Sequence, residues 1–223
     1  SITASALPWI FRAKTTPSST TEGPSTVSVL TREAGHWFAA GTVAFVSVVL
    51  ELGGDATRNL LAWDRELLAA GELWRLVSAH FVHLGWSHLG LNVAGLALTT
   101  WLVGSAYDAG RWLVIALASM AAIDAGFWLL DTGLDWYVGL SGLLHGLLAA
   151  GLFAGIRRRD REAGVLAVLV LAKLAWEQLA GPLPGSAATA GGNVIVNAHL
   201  YGAAGGLLAA ALLQRRVRPA ASL

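Results

Sequence analysis

The 223-residue chain has no cysteine, and charged residues make up only 13% of it. Without cysteine there is no disulfide framework, no thiolate zinc or iron–sulfur site and no cysteine nucleophile. A soluble domain carries about 25% charged residues. Here 55% of residues are hydrophobic and the mean hydropathy is +0.60, more apolar surface than so few charges can screen from water. The same numbers exclude disorder for most of the chain, because disorder needs low hydrophobicity and high charge. A net charge of +1 gives no basis for a nucleic-acid partner. What remains is a polytopic, all-α membrane protein whose immediate partner is the lipid bilayer.

Residues 1–33 read as a flexible tail. They hold no apolar h-region of a signal peptide, and the Ser/Thr/Pro run from Thr15 to Thr26 cannot bury a core. Residues 34–214 read as the membrane domain and 215–223 as a basic tail. A helix needs about 20 mostly apolar residues to cross about 30 Å of hydrocarbon. Six stretches meet or approach this: Trp37–Leu52, Trp86–Val103, Trp112–Leu130, Tyr137–Ile156, Gly164–Ala180 and Val194–Leu213. Both tails and the even-numbered loops hold 11 Lys or Arg, against Arg58, Arg65 and Arg75 on the opposite side. The excess places both termini in the cytoplasm.

The second, fourth and sixth spans then run inward from the outer face. Each carries polar residues close to its start: His88 and Asn92, Ser141, and Asn197 with His199. A serine becomes a useful nucleophile when a base takes its proton, and imidazole is the usual base. Gly139-Leu140-Ser141-Gly142 alone is equally a packing motif, and His199 alone is equally a hydrogen-bonded linker between helices. Together, at matched depth, they form a candidate Ser–His dyad. Gly142 and Gly146 in one span, and Gly202 and Gly206 in another, would let those helices approach closely. No Asp or Glu is expected near enough to complete a triad. His88 and Asn92, at i and i+4, could donate to an oxyanion or hydrogen-bond between helices. His80 and His83 precede that pair without a carboxylate or a known ligand spacing, so no metal and no cofactor is expected. They read as members of an ordered, partly immersed loop, bonded to backbone or water. Asp124, Lys173 and Glu177 are the remaining charges inside spans. Lys173 and Glu177, at i and i+4, could neutralise each other, while the partner of Asp124 cannot be named from the sequence.

These motifs resemble those of the rhomboid intramembrane serine proteases: Trp74-Arg75, the His83/His88/Asn92 pattern, Gly139-x-Ser141-Gly142 and Ala198-His199-x-x-Gly202. The resemblance runs from Glu72 to Gly206. It implies a six-helix bundle, Ser141 as nucleophile and His199 as general base. It also implies an oxyanion hole of His88, Asn92 and the Ser141 backbone N–H. Many rhomboids carry a Tyr four residues after the nucleophile, stacked on the catalytic histidine. Here His145 stands in that place, able to hydrogen-bond or stack. The runs Tyr137–Gly146 and His199-Leu200-Tyr201-Gly202 resemble the rhombosortase subfamily. That likeness implies a substrate anchored by a C-terminal transmembrane helix, with a Gly-Gly motif before it and a basic tail after it, in a bacterial inner membrane. Two other readings stand beside the protease. A transporter would use Asp124, Lys173, Glu177 and the histidines, but spans 1–3 and 4–6 show no internal repeat. An inert binder of membrane helices would keep the fold alone.

Overall fold

The computed structural model describes residues 26–215, with side chains from Gly35 to Gln214. The tail residues 1–25 and 216–223 lie outside this part. Six long helices form the bundle: α1 (Thr26–Leu52), α5 (Trp86–Val103), α6 (Ala109–Leu129), α7 (Ser141–Arg157), α8 (Arg161–Ala180) and α10 (Val196–Arg215). Between α1 and α5 lie the short helices α2 (Gly54–Leu61), α3 (Arg65–Ala69) and α4 (Arg75–Ser78), and α9 (Ser186–Ala190) lies between α8 and α10. Five of the long helices are apolar and long enough to cross a membrane. Their outward faces, including Phe45, Trp101, Leu117, Leu169 and Leu208, are exposed, as lipid-facing surface is.

The first helix starts at Thr26, inside the stretch read from sequence as tail. The larger difference is in α7. The apolar run from Tyr137 reads as one span, yet helix begins only at Ser141. Trp136–Tyr137 (β2) instead pairs antiparallel with Trp63–Asp64 (β1), Trp63 opposite Tyr137. The Tyr137 hydroxyl donates to the Gly139 carbonyl at 2.6 Å, and the Gly139 N–H donates to Ala79 O at 3.0 Å. Gly139 has φ +128°, a conformation that disfavours any side chain. At 17 residues α7 is about 25 Å long, less than the hydrocarbon thickness.

α10 packs most closely on α7 and α6, through glycine. A methyl group on Gly202 would overlap the Gly142 carbonyl oxygen, and one on Gly206 the Gly146 carbonyl oxygen. The close approach expected of these four glycines is present. His36 and Gln214 both reach Tyr107, through its carbonyl and its hydroxyl, so the His36 turn of α1 and the end of α10 lie on the same side of the bundle.

At the other end, two arginines hold the segment between α1 and α5. Arg65 donates to the carbonyls of Phe127, Asp131 and Leu134, where α6 runs out of internal partners, and lies over Trp63 and Trp128. Arg75 is buried. Its Nη1 donates to Asn59 O at 2.9 Å and Ala62 O at 2.7 Å, and its Nε to Glu72 at 2.7 Å. A guanidinium fork serves these three acceptors at once, and an ammonium cannot. Arg75→Ala leaves two inward-facing carbonyls unpaired and is expected to cost about 3 kcal/mol. Arg75→Lys recovers part of it. Thermal unfolding in detergent checks the order, and an unchanged midpoint for Arg75→Ala contradicts it.

Candidate active site

Ser141 is the first residue of α7, so its N–H and the next two have no partner within the helix. The α7 dipole adds partial positive charge at that point. Across the glycine contact, the His199 Nε2 lies 3.0 Å from the Ser141 Oγ. The structure brings these two side chains together. Asn197, placed at the same level by sequence, turns away. Its amide donates to both carboxylate oxygens of Asp131, at 2.8 and 2.9 Å, and ties the first turn of α10 to the end of α6.

A carboxylate does reach the pair, contrary to the expectation of a bare dyad. Glu177, buried in α8, has its Oε2 2.9 Å and its Oε1 3.1 Å from His199 Nδ1. Lys173, one turn earlier, lies 2.8 Å from Glu177 Oε2. The two do neutralise each other, while also facing the site. The sequence held a usable signal. Glu177 lies three residues before the end of α8, and His199 three residues after the start of α10. Both are therefore about 4.5 Å from the same face of the bundle.

His145 both stacks and hydrogen-bonds. Its ring lies 4.2 Å from the His199 ring at an interplanar angle of 21°. Its Nδ1 donates to the Ser141 carbonyl at 2.7 Å, and its Nε2 accepts from Lys173 Nζ at 2.7 Å. On the opposite wall, the Leu84 N–H donates to His88 Nδ1 at 3.2 Å, which leaves the proton on Nε2. The Asn92 amide donates to the His88 carbonyl at 3.1 Å and keeps its second N–H. A Cβ on Gly139 would stand 2.8 Å from the His88 ring, so this glycine lets His88 approach the serine loop. One on Gly142 would stand 2.9 Å from the Ala198 carbonyl oxygen, next to His199. Ser141, His199, His88, Asn92, His145 and Lys173 line a cleft of about 410 Å³ together with apolar residues of α5 and the α9 segment.

His80 and His83 are wholly buried, and their ring nitrogens have no hydrogen-bond partner among the described residues. The expected bonding to backbone is therefore not found. His80 lies 3.7 Å from Asp124, which supplies the neighbour that the sequence could not name. Among the described residues no cluster of three or more His, Asp or Glu is placed to hold a metal ion.

Residues 70–216 match the rhomboid domain. This chain belongs to the rhomboid family. The rhomboid protease GluP of Bacillus subtilis is 30% identical over 178 residues, 74% of this chain and 32% of GluP. The rhomboid protease GlpG of Salmonella newport is 26% identical over 145 residues, 63% of this chain and 50% of GlpG. The chain thus spans a third to a half of the length of these relatives. Family membership and the apolar helices together make it an integral membrane protein.

Outside the spans, burial and then the neighbouring His88 ring push His83 down to about 3. The folded state holds this imidazole neutral, while the unfolded chain protonates it below about 6.5. The unfolded state then binds more protons, so stability falls as pH drops from about 6.5 toward 3, by on the order of 1 kcal/mol per unit. Thermal midpoints from pH 7 to 5 should decline in this protein and decline less in His83→Gln. Parallel curves would contradict it.

Proposed function

We propose that this protein is an intramembrane serine endopeptidase with Ser141 as nucleophile and His199 as general base. The observation that carries the reading is the 3.0 Å contact between Ser141 Oγ and His199 Nε2 at the N-terminus of an apolar helix. A substrate helix docks from the lipid, and its end unwinds beside a helix-weakening glycine. The Oγ–H proton passes to His199 Nε2 as the oxygen bonds to the scissile carbonyl carbon. The oxyanion sits against the Ser141 N–H, His88 Nε2–H and the free Asn92 N–H, each contributing about 3–4 kcal/mol in a water-poor site. The leaving amine takes the proton from His199 as the C–N bond breaks. Water, deprotonated by the same imidazole, then hydrolyses the acyl-enzyme.

The finer reading is rhombosortase-type processing, near the outer leaflet of a bacterial inner membrane, of proteins bearing a C-terminal Gly-Gly motif, a transmembrane helix and a basic tail. The motif runs around Ser141 and His199 support it, as does His145 in the place of the usual tyrosine. The arginine distribution supports six spans with both termini cytoplasmic. The transporter reading loses its residues: Lys173 and Glu177 turn onto His199, and Asp124 faces His80.

A fluorophosphonate probe should label the purified protein, and Ser141→Ala and His199→Ala should reduce labelling to background. Labelling that survives Ser141→Ala overturns the serine assignment. Co-expression with a reporter ending in Gly-Gly, a transmembrane helix and a basic tail should yield a cleaved product, lost on changing Gly-Gly to Leu-Leu. Equal cleavage of both reporters would favour a rhomboid protease of broader specificity. Probe labelling without any cleavage would contradict the Gly-Gly assignment.

A further inference from the structure

The hydrogen bonds around His199 go beyond a serine and its base. A neutral imidazole has one N–H and one acceptor nitrogen, and its use as a base depends on which is which. At Nδ1 two neighbours compete. Lys173 Nζ lies 3.1 Å away and can only donate, while both Glu177 carboxylate oxygens lie at 2.9–3.1 Å and can only accept. A lysine donating to Nδ1 would put the proton on Nε2, facing Ser141, and His199 could not take the serine proton. Two carboxylate oxygens facing Nδ1 put the proton there instead and leave Nε2 free to accept.

The lysine is already engaged. Its Nζ donates to Glu177 Oε2 at 2.8 Å and to His145 Nε2 at 2.7 Å. His145 in turn spends its own N–H on the Ser141 carbonyl. With Nδ1–H on both histidines, each imidazole has its donor and its acceptor nitrogen matched, and two of the three lysine N–H groups are spent. The pattern holds the imidazole plane by stacking on one side and by a carboxylate at its far nitrogen.

We propose that Glu177 is a positioning residue of the protease assigned above, the third member of a Ser141–His199–Glu177 relay held in place by Lys173. Glu177 fixes the Nδ1–H tautomer of His199. It also faces the imidazolium that forms when the Oγ–H proton moves to Nε2. The Nδ1 proton stays on the ring throughout, and the carboxylate stays ionised. The proposal rests on the serine-protease reading, and the experiment separates the two.

The experiment is saturation kinetics of fluorophosphonate labelling on the purified full chain. Ser141 Oγ bonds to phosphorus, its proton passes to His199, and fluoride leaves. The maximal rate reports the activated serine, and the half-saturating concentration reports how the cleft receives the probe. Glu177→Gln keeps the shape and removes the charge. It is expected to lower the maximal rate by about 100-fold or more, as loss of a triad carboxylate does elsewhere, with the half-saturating concentration within about threefold. A maximal rate within about threefold of wild type overturns the relay and leaves the Ser–His reading intact. A raised half-saturating concentration with an unchanged maximal rate also overturns it, because that is what loosening of α8 alone produces. Labelling that survives Ser141→Ala overturns both readings together. Should Glu177→Gln not fold, the double variant Lys173→Met/Glu177→Met removes both charges of this largely buried pair at similar volume, a change that often keeps a fold. It should show the same slow maximal rate, and a wild-type rate overturns the proposal.

Discussion

The site depends on one backbone contact. Between lipid-facing helices no hydrophobic force favours association over lipid, so close packing must supply it. Gly142 and Gly146 of α7 meet Gly202 and Gly206 of α10 so tightly that a methyl group on either α10 glycine would enter a carbonyl oxygen. That fit allows one register. Ser141 immediately precedes Gly142, His199 lies three residues before Gly202, and the register that seats the glycines brings their side chains to 3.0 Å. A larger residue at Gly202 would separate the helices and stretch that contact before anything else.

A second constraint sets where α7 begins. Extended backbone at membrane depth needs partners for its N–H and C=O groups. The segment before Ser141 finds them in β1, in the Tyr137 hydroxyl and in the Ala79 carbonyl. β1 and Ala79 belong to the α1–α5 connection, which Arg65 anchors to the end of α6 and Arg75 braces internally against the end of α2. The arginines far from the cleft therefore decide whether the serine stands at a helix N-terminus with its N–H unspent.

Much of this was legible in the sequence. The long spans followed from hydropathy, and the Ser141–His199 meeting followed from polar residues at one depth combined with facing glycine pairs. The start of α7 was not legible, because Tyr137, Val138 and Leu140 are as apolar in a strand and loop as in a helix. Only the pairing with Trp63, 74 residues earlier, tells them apart. Asn197 had the right depth and the wrong azimuth, which is set by Asp131. Glu177 is not legible as a partner of His199, because Lys173 stands one turn away in the same helix and already accounts for its charge. One carboxylate has room for two donors, and the lysine did not exhaust it.

His145, Lys173 and Glu177 are better understood as one linked group than as three separate residues. A tyrosine stacked on His199 would present an apolar ring and a single hydroxyl. A histidine in its place presents two nitrogens, each needing a partner where water is scarce. One is satisfied by the Ser141 carbonyl, and the other needs a donor, which Lys173 supplies at 2.7 Å. A lysine in a membrane helix needs an anion, and Glu177 is one turn away. The carboxylate that satisfies the lysine then lies within hydrogen-bond distance of the nitrogen of His199 that faces away from the serine. Each polar group thus requires the next, and the chain of requirements closes on His199.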